Sequence, residues 1–211
     1  KESADLANFV HRHQPDCLIS GRIGNGKGDY DTLGDNQIPA YSFTRPTEGL
    51  GTMNESWGYH QLDHHYRSTA CLLRNLARMT SRNANYLLNV GPDASGVFPR
   101  PAQIRLNAIG RFLQGREEAL YGAGDCGGLV QPFSFYWGEV TAKHDSVYFW
   151  VFQRTDDIVL YGIRSAIAKV ELLGNRFLPQ LETLHDPDCN FHKLRIYGLE
   201  EQRTPYIIKL S

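Results

Sequence analysis

Asn85-Tyr-Leu-Leu-Asn-Val-Gly-Pro92 decides how this chain folds. Within it, Tyr86–Val90 reads as a short strand, and Gly91-Pro92 closes it. Upstream, Leu72, Leu73, Leu76 and Met79 recur at helical spacing and form an amphipathic stripe. Downstream, Pro101 stands where helices favour proline, and Ile104, Ile109, Phe112 and Leu113 follow before Gly115 ends the segment. Moving further towards the N-terminus, a strand fits about Gly49–Met53. Before that, Cys17-Leu-Ile-Ser20 is an apolar run suited to a strand buried on both faces. Residues 2–13 place Leu6, Phe9 and Val10 at helical spacing, and Pro15-Asp16 breaks that helix. The stretch from Gly21 to about Glu48 is a long polar loop, and loops of that length in compact domains are commonly functional. Strands alternating with helices predict a parallel sheet with crossover helices.

From about Gly127 the pattern changes. Val147-Tyr-Phe-Trp-Val-Phe152, Ile158-Val-Leu-Tyr161, Ala168–Leu172 and Tyr206-Ile-Ile-Lys-Leu210 are strand-like and separated by turn residues. They predict an antiparallel β-sandwich over 123–211, following an α/β unit over 1–122. With 211 residues the chain can bury a sizeable core, and its net charge of -1 gives no reason to expect nucleic acid or a membrane surface. No apolar run reaches the roughly 18 residues of a membrane-spanning helix. Cys17 and Cys71 read as buried apolar residues, while Cys126 and Cys189 are open to pairing.

Taken together, the segments resemble the C-terminal part of a family 29 glycoside hydrolase, an α-L-fucosidase. The likeness runs in order through Gln14-Pro-Asp16 with Ser20-Gly-Arg22, and Gly28-Asp-Tyr-Asp-Thr32. It continues through Asn54-Glu-Ser-Trp-Gly-Tyr59 with Asp63 and Tyr66-Arg-Ser68, then Asn85–Pro92 with Gly96. It closes with Ile109–Leu113 and Glu118–Gly122. The resemblance implies a partial (β/α)8, TIM-like barrel made of its last strand–helix units, followed by the β-sandwich domain. It implies cleavage of terminal α-L-fucose from glycans with retention and without a cofactor. It also implies a secreted, periplasmic or lysosomal setting. The family's nucleophile is an Asp in a Trp-x-Asp-type motif on an earlier strand, which no residue here matches. The chain alone is therefore expected to be inactive, and to need the N-terminal barrel half or a partner chain.

Retaining glycosidases pair a nucleophilic carboxylate with a second carboxyl group that protonates the leaving oxygen. Many family members carry that acid in a Trp-Glu pair before the Asn-x-Ser-Trp segment. Glu48 falls at that place, preceded here by Thr47. Other members place the acid just after Asp-Tyr-x-Thr, where this chain has Gly34 with Asp35 beside it. Glu48 is the first candidate and Asp35 the second. Arg22, directly after the Cys17–Ser20 run, is a candidate for binding a sugar hydroxyl or orienting the nucleophile. Trp57 offers an aromatic face suited to the methyl-bearing side of fucose, and reads equally as a core tryptophan. His60, Asp63, His64 and His65 have ligand chemistry, but fucoside cleavage needs no metal. The plainer reading of Asp29, Asp31 and Asp35 is turn formation, since Asp and Gly favour tight turns.

Overall fold

The computed structural model describes residues 1–127, 135–155, 157–163, 167–175, 179–186, 191–199 and 205–211. The first half holds helix α1 (Glu2–His13), strands β1 (Asp31–Thr32) and β2 (Thr47–Thr52), α2 (Thr69–Thr80), β3 (Ala84–Asn89) and α3 (Arg100–Leu113). The three strands are parallel in the order β1-β2-β3, with Thr47 opposite Ala84 and Thr52 opposite Asn89. Ser68 starts α2 by accepting the Cys71 amide at 3.2 Å. Gly115, at φ 74°, ends the chain's run through α3 in the left-handed conformation that glycine adopts freely.

The helices cover one face of this sheet. A Cβ on Gly49 would lie 2.5 Å from the Met79 methyl of α2, so the bare glycine lets strand and helix close together. Met53, Leu72 and Ala102 form the small core beneath, joined by Leu88, Leu106 and Ile109. Side chains alternate across a strand. Glu48, Leu50 and Thr52 therefore lie on the face away from α2, and Asn85, Leu87 and Asn89 beside them.

The second half is a sandwich. One sheet has the order β4-β5-β10-β7, formed by Gly138–Lys143, Ser146–Val151, Tyr206–Leu210 and Val170–Leu172. The other has the order β6-β9-β8, formed by Asp157–Ile163, Phe191–Tyr197 and Gln180–Asp186. All their pairings are antiparallel. Val140, Val147, Phe149, Val151, Ile208 and Leu210 face inward and meet Ile158, Leu160, Leu194 and Ile196 of the second sheet. The alternate residues Tyr148, Trp150 and Ile207 turn outward and pack on Ala77, Ala119, Phe112 and Leu113 of the helical half. Both faces of the four-stranded sheet are thus covered.

Polar groups lock this junction. Glu139, 3% exposed, accepts Arg74 at 3.1 Å and Arg78 at 2.6 Å. The Trp150 indole donates to Thr141 at 3.0 Å, and Thr141 donates to the Ala119 carbonyl at 2.8 Å. Glu118 accepts Tyr148 at 3.0 Å and Lys209 at 2.8 Å. Burial pushes its carboxyl up, but the Lys209 and Tyr148 hydrogen bonds outweigh burial and hold it below the usual range.

Several sequence expectations need correction. Cys17–Ser20 is not a doubly buried strand. Ile19 is buried, but Leu18 is 74% exposed, and the run's one bridge joins Ser20 to Tyr30. An apolar run buries both faces only when both are covered, and here one is. Cys17 and Cys71 are half-buried rather than buried, while Cys189 lies outside the described residues. Ile104, placed in the apolar stripe of α3, is 50% exposed, as are about as much Leu6 (54%) and Phe9 (53%) of α1. The predicted loop from Gly21 contains β1 and gives way to β2 at Thr47.

Candidate active site

Arg22 sits in a single 3-10 turn, Gly21–Ile23, and the Ser20 hydroxyl caps it by accepting the Arg22 amide at 3.3 Å. Two glycines shape this approach. A Cβ on Gly28 would come within 2.6 Å of the Gly21 backbone, so the loop folds tightly onto the turn. Asp29 secures it from below, accepting the Ile19 amide at 2.7 Å, and Asp31 pairs with Arg45 at 3.1 Å. Both aspartates thus act through contacts distant in sequence, and Asp31 lies in β1 rather than in a turn. The Arg22 guanidinium then reaches Asp35, in a charge-assisted hydrogen bond with about half of each side chain exposed. Asp35 lies beyond the end of β1, and its neighbour Asn36 is tied to β2 through the Leu50 carbonyl and the Thr52 amide, each at 2.9 Å. Arg22 and Asp35 are thus brought together near the C-terminal ends of the strands.

Trp57 lies in the loop that follows β2, at the same end of the sheet, and is 38% exposed. It is not a core tryptophan; Trp137 (4%) and Trp150 (0%) are. Its loop is held at several points. Asp63 accepts the amides of Glu55 and His65, both at 3.1 Å. Hydrogen bonding from Ser56, ahead of these amides, keeps the Asp63 carboxyl below the usual range. Arg67 donates to the Thr52 carbonyl at 3.1 Å, and Asn89, the last residue of β3, donates to the Trp57 carbonyl at 2.5 Å. His65 lies 3.3 Å from Glu55, well exposed. No group of three His, Cys, Asp or Glu among the described residues is arranged to hold a metal.

Glu48 stands beside Thr32, the last residue of β1. It is the second residue of β2, half-buried on the sheet face turned away from α2. Four residues separate it from Thr52, about 13 Å along the strand. Barrel enzymes build their sites at the C-terminal ends of the strands. By that rule Arg22, Asp35 and Trp57 are placed as site candidates, and Glu48, level with the C-terminal end of β1, stays among them. Sequence reasoning passed over Asn89 as a contributor to this end. The available signal was an amide residue closing the apolar strand just before Gly91-Pro92.

The parallel strand–helix units with an appended sandwich define a glycosidase-type architecture, seen also in solved structures. An α-L-fucosidase from a Vibrio strain is 25% identical with a TM-score of 0.88, over 99% of this chain and 38% of that one. The fold of isoenzyme 1 from Paenibacillus thiaminolyticus gives a TM-score of 0.85 at 24% identity, over 100% of this chain and 53% of that one. A Dictyostelium discoideum α-L-fucosidase is 31% identical over 136 residues, 63% of this chain and 29% of that protein. The family model described as alpha-L-fucosidase matches residues 1–118, and the chain belongs to that family of glycoside hydrolases. It spans less than a third of the Dictyostelium relative and about half of the Paenibacillus enzyme.

Proposed function

We propose that this chain supplies the C-terminal part of a retaining α-L-fucosidase that releases terminal α-L-fucose from glycans. The observation that carries the reading is the convergence of the Arg22–Asp35 pair and the Trp57 loop at the C-terminal end of a parallel sheet. Family membership supports a fucosylated substrate. Arg22 has the fork of donors to bind a sugar hydroxyl or the nucleophile carboxylate. Trp57 presents a partly open ring to the apolar side of the sugar. The nucleophile comes from an earlier barrel strand, in the same polypeptide or in a partner chain.

Two carboxylates remain for the proton donor. Both stand by the C-terminal end of β1: Glu48 pairs with its last residue, Thr32, and Asp35 follows three residues later, paired with Arg22. In the assembled enzyme, replacing the true donor should slow natural oligosaccharides by about 10²–10⁴-fold. An activated aryl fucoside should suffer less, because its leaving group needs little protonation, and azide should restore turnover. Asp35→Asn and Glu48→Gln, assayed side by side, assign the role to whichever shows this pattern. Two mild, equal losses would remove both.

The 211-residue chain by itself should bind fucose weakly and turn over no aryl α-L-fucoside. Robust turnover by the isolated chain would show that its own carboxylates suffice. Fucose binding by the assembled protein with no turnover on any fucoside would favour a carbohydrate-binding role instead.

A further inference from the structure

We propose that Asn89 and Gly91 form a seat that positions Trp57 for sugar contact, making Asn89 a positioning residue of the site. This rests on the reading of Trp57 as the sugar-facing ring. The Trp57 side chain is 38% exposed, and no aromatic or cationic side chain among the described residues stacks on it. With no ring or cation stacked on it, its orientation depends on how its backbone is held. Two features of the strand end that follows α2 hold that backbone. The Asn89 side-chain amide donates to the Trp57 carbonyl at 2.5 Å. A Cβ on Gly91 would stand 2.5 Å from both the Gly58 carbonyl carbon and the Tyr59 nitrogen, so only glycine lets the loop lie against the strand end.

The chemistry of the seat is specific. Asparagine brings an N–H donor to a carbonyl that only a donor can satisfy. Aspartate has nearly the same shape, but it would set acceptor against acceptor and push the loop away. The seat is solvent-facing, so the freed carbonyl finds water and costs little stability. A loss here shows as a displaced ring, while the fold holds.

The intact chain reads this directly. It has three tryptophans, of which Trp137 and Trp150 are buried, so acrylamide quenching reports chiefly on Trp57. Asn89→Asp should raise quenching while leaving the urea midpoint unchanged, and Asn89→Gln should return it part of the way. Affinity for α-L-fucose should fall roughly two- to tenfold, the equivalent of one net hydrogen bond. In a Trp57→Phe background, Asn89→Asp should cost no further affinity. Should Asn89→Asp fail to fold, Gly91→Ala displaces the same loop and should give the same rise in quenching. Unchanged quenching in a folded variant overturns the seat. If the parent chain binds no fucose while Asn89→Asp still raises quenching, the seat stands and the sugar reading falls.

Discussion

The parallel sheet and the four-stranded sheet of the sandwich meet their surroundings in opposite ways. In the sandwich, the four-stranded sheet is covered on both faces, by β6, β9 and β8 on one side and by the helices on the other. In the first half, the parallel sheet is covered by helices on one face only. Its other face carries Glu48, Leu50, Asn85 and Leu87, with Leu87 41% exposed. The densest packing of the chain therefore lies away from the candidate site. The residues with chemistry stand on the open sheet and its loops, and the sandwich braces the helices that position them.

Mutations in the brace should cost most. Trp150 is fully buried, with its ring on Phe112 and its N–H on Thr141. Trp150→Ala empties the centre of the junction and should lower unfolding free energy by about 3–5 kcal/mol in urea titration. A loss under about 1 kcal/mol would mean that the sandwich does not brace the helical half.

Glu139 comes next. Breaking a buried ion pair is severe when the abandoned charge stays buried. Here Arg74 and Arg78 keep about 30% of their side chains exposed, so water can take over from the lost carboxylate. Glu139→Ala should cost about 1–3 kcal/mol, the value of hydrogen bonds to a charged group. A double-mutant cycle with Arg78→Ala should show strong coupling, and additive losses would remove the pair from the account.

The contrast also explains what the sequence made legible. An apolar run set off by turn residues found β10 at Tyr206–Leu210, and helical spacing found α1 at Glu2–His13, because both patterns are local. β4 was missed. It reads Gly-Glu-Val-Thr-Ala-Lys, and its polar residues Glu139 and Thr141 turn towards the helices instead of water. β9 was missed as well, although Leu194 and Ile196 alternate with Lys193 and Arg195. Site residues were recognised by family likeness, which carries position along the chain but not depth along a strand. Hence likeness named Arg22, Glu48 and Trp57 as candidates, while the pairing of Glu48 with Thr32 and of Arg22 with Asp35 needed coordinates.

Tyr206 offers a smaller change of opposite sign. It is 5% exposed in the sandwich, and among the described residues its hydroxyl has no partner. Burial pushes its pKa up to about 12. Since the folded value lies above the unfolded one, the stability this group contributes is complete below the ordinary tyrosine range. It is lost as pH rises towards about 12. Tyr206→Phe removes an unsatisfied polar group and should gain about 1 kcal/mol at neutral pH. It should also flatten the alkaline decline of the urea midpoint, and a destabilised Phe variant would reveal a partner for the hydroxyl.

The smallest effect belongs to Leu87, and it sharpens the comparison most. Leu87 sits mid-strand in β3, opposite Leu50, where a closed barrel would bury both. On the open face, Leu87→Ala removes atoms that water already reaches. The isolated chain should lose no more than about 0.5 kcal/mol, the range of ordinary surface substitutions. With a closing half-barrel in place, the same substitution becomes a core truncation and should cost about 2–5 kcal/mol. Measuring Leu87→Ala in the chain alone and in the assembled enzyme thus reads out whether this face is an interior waiting to be covered. A large loss in the chain alone would mean that the face is already buried by another contact. Equal, small losses in both settings would mean that the barrel does not close over it.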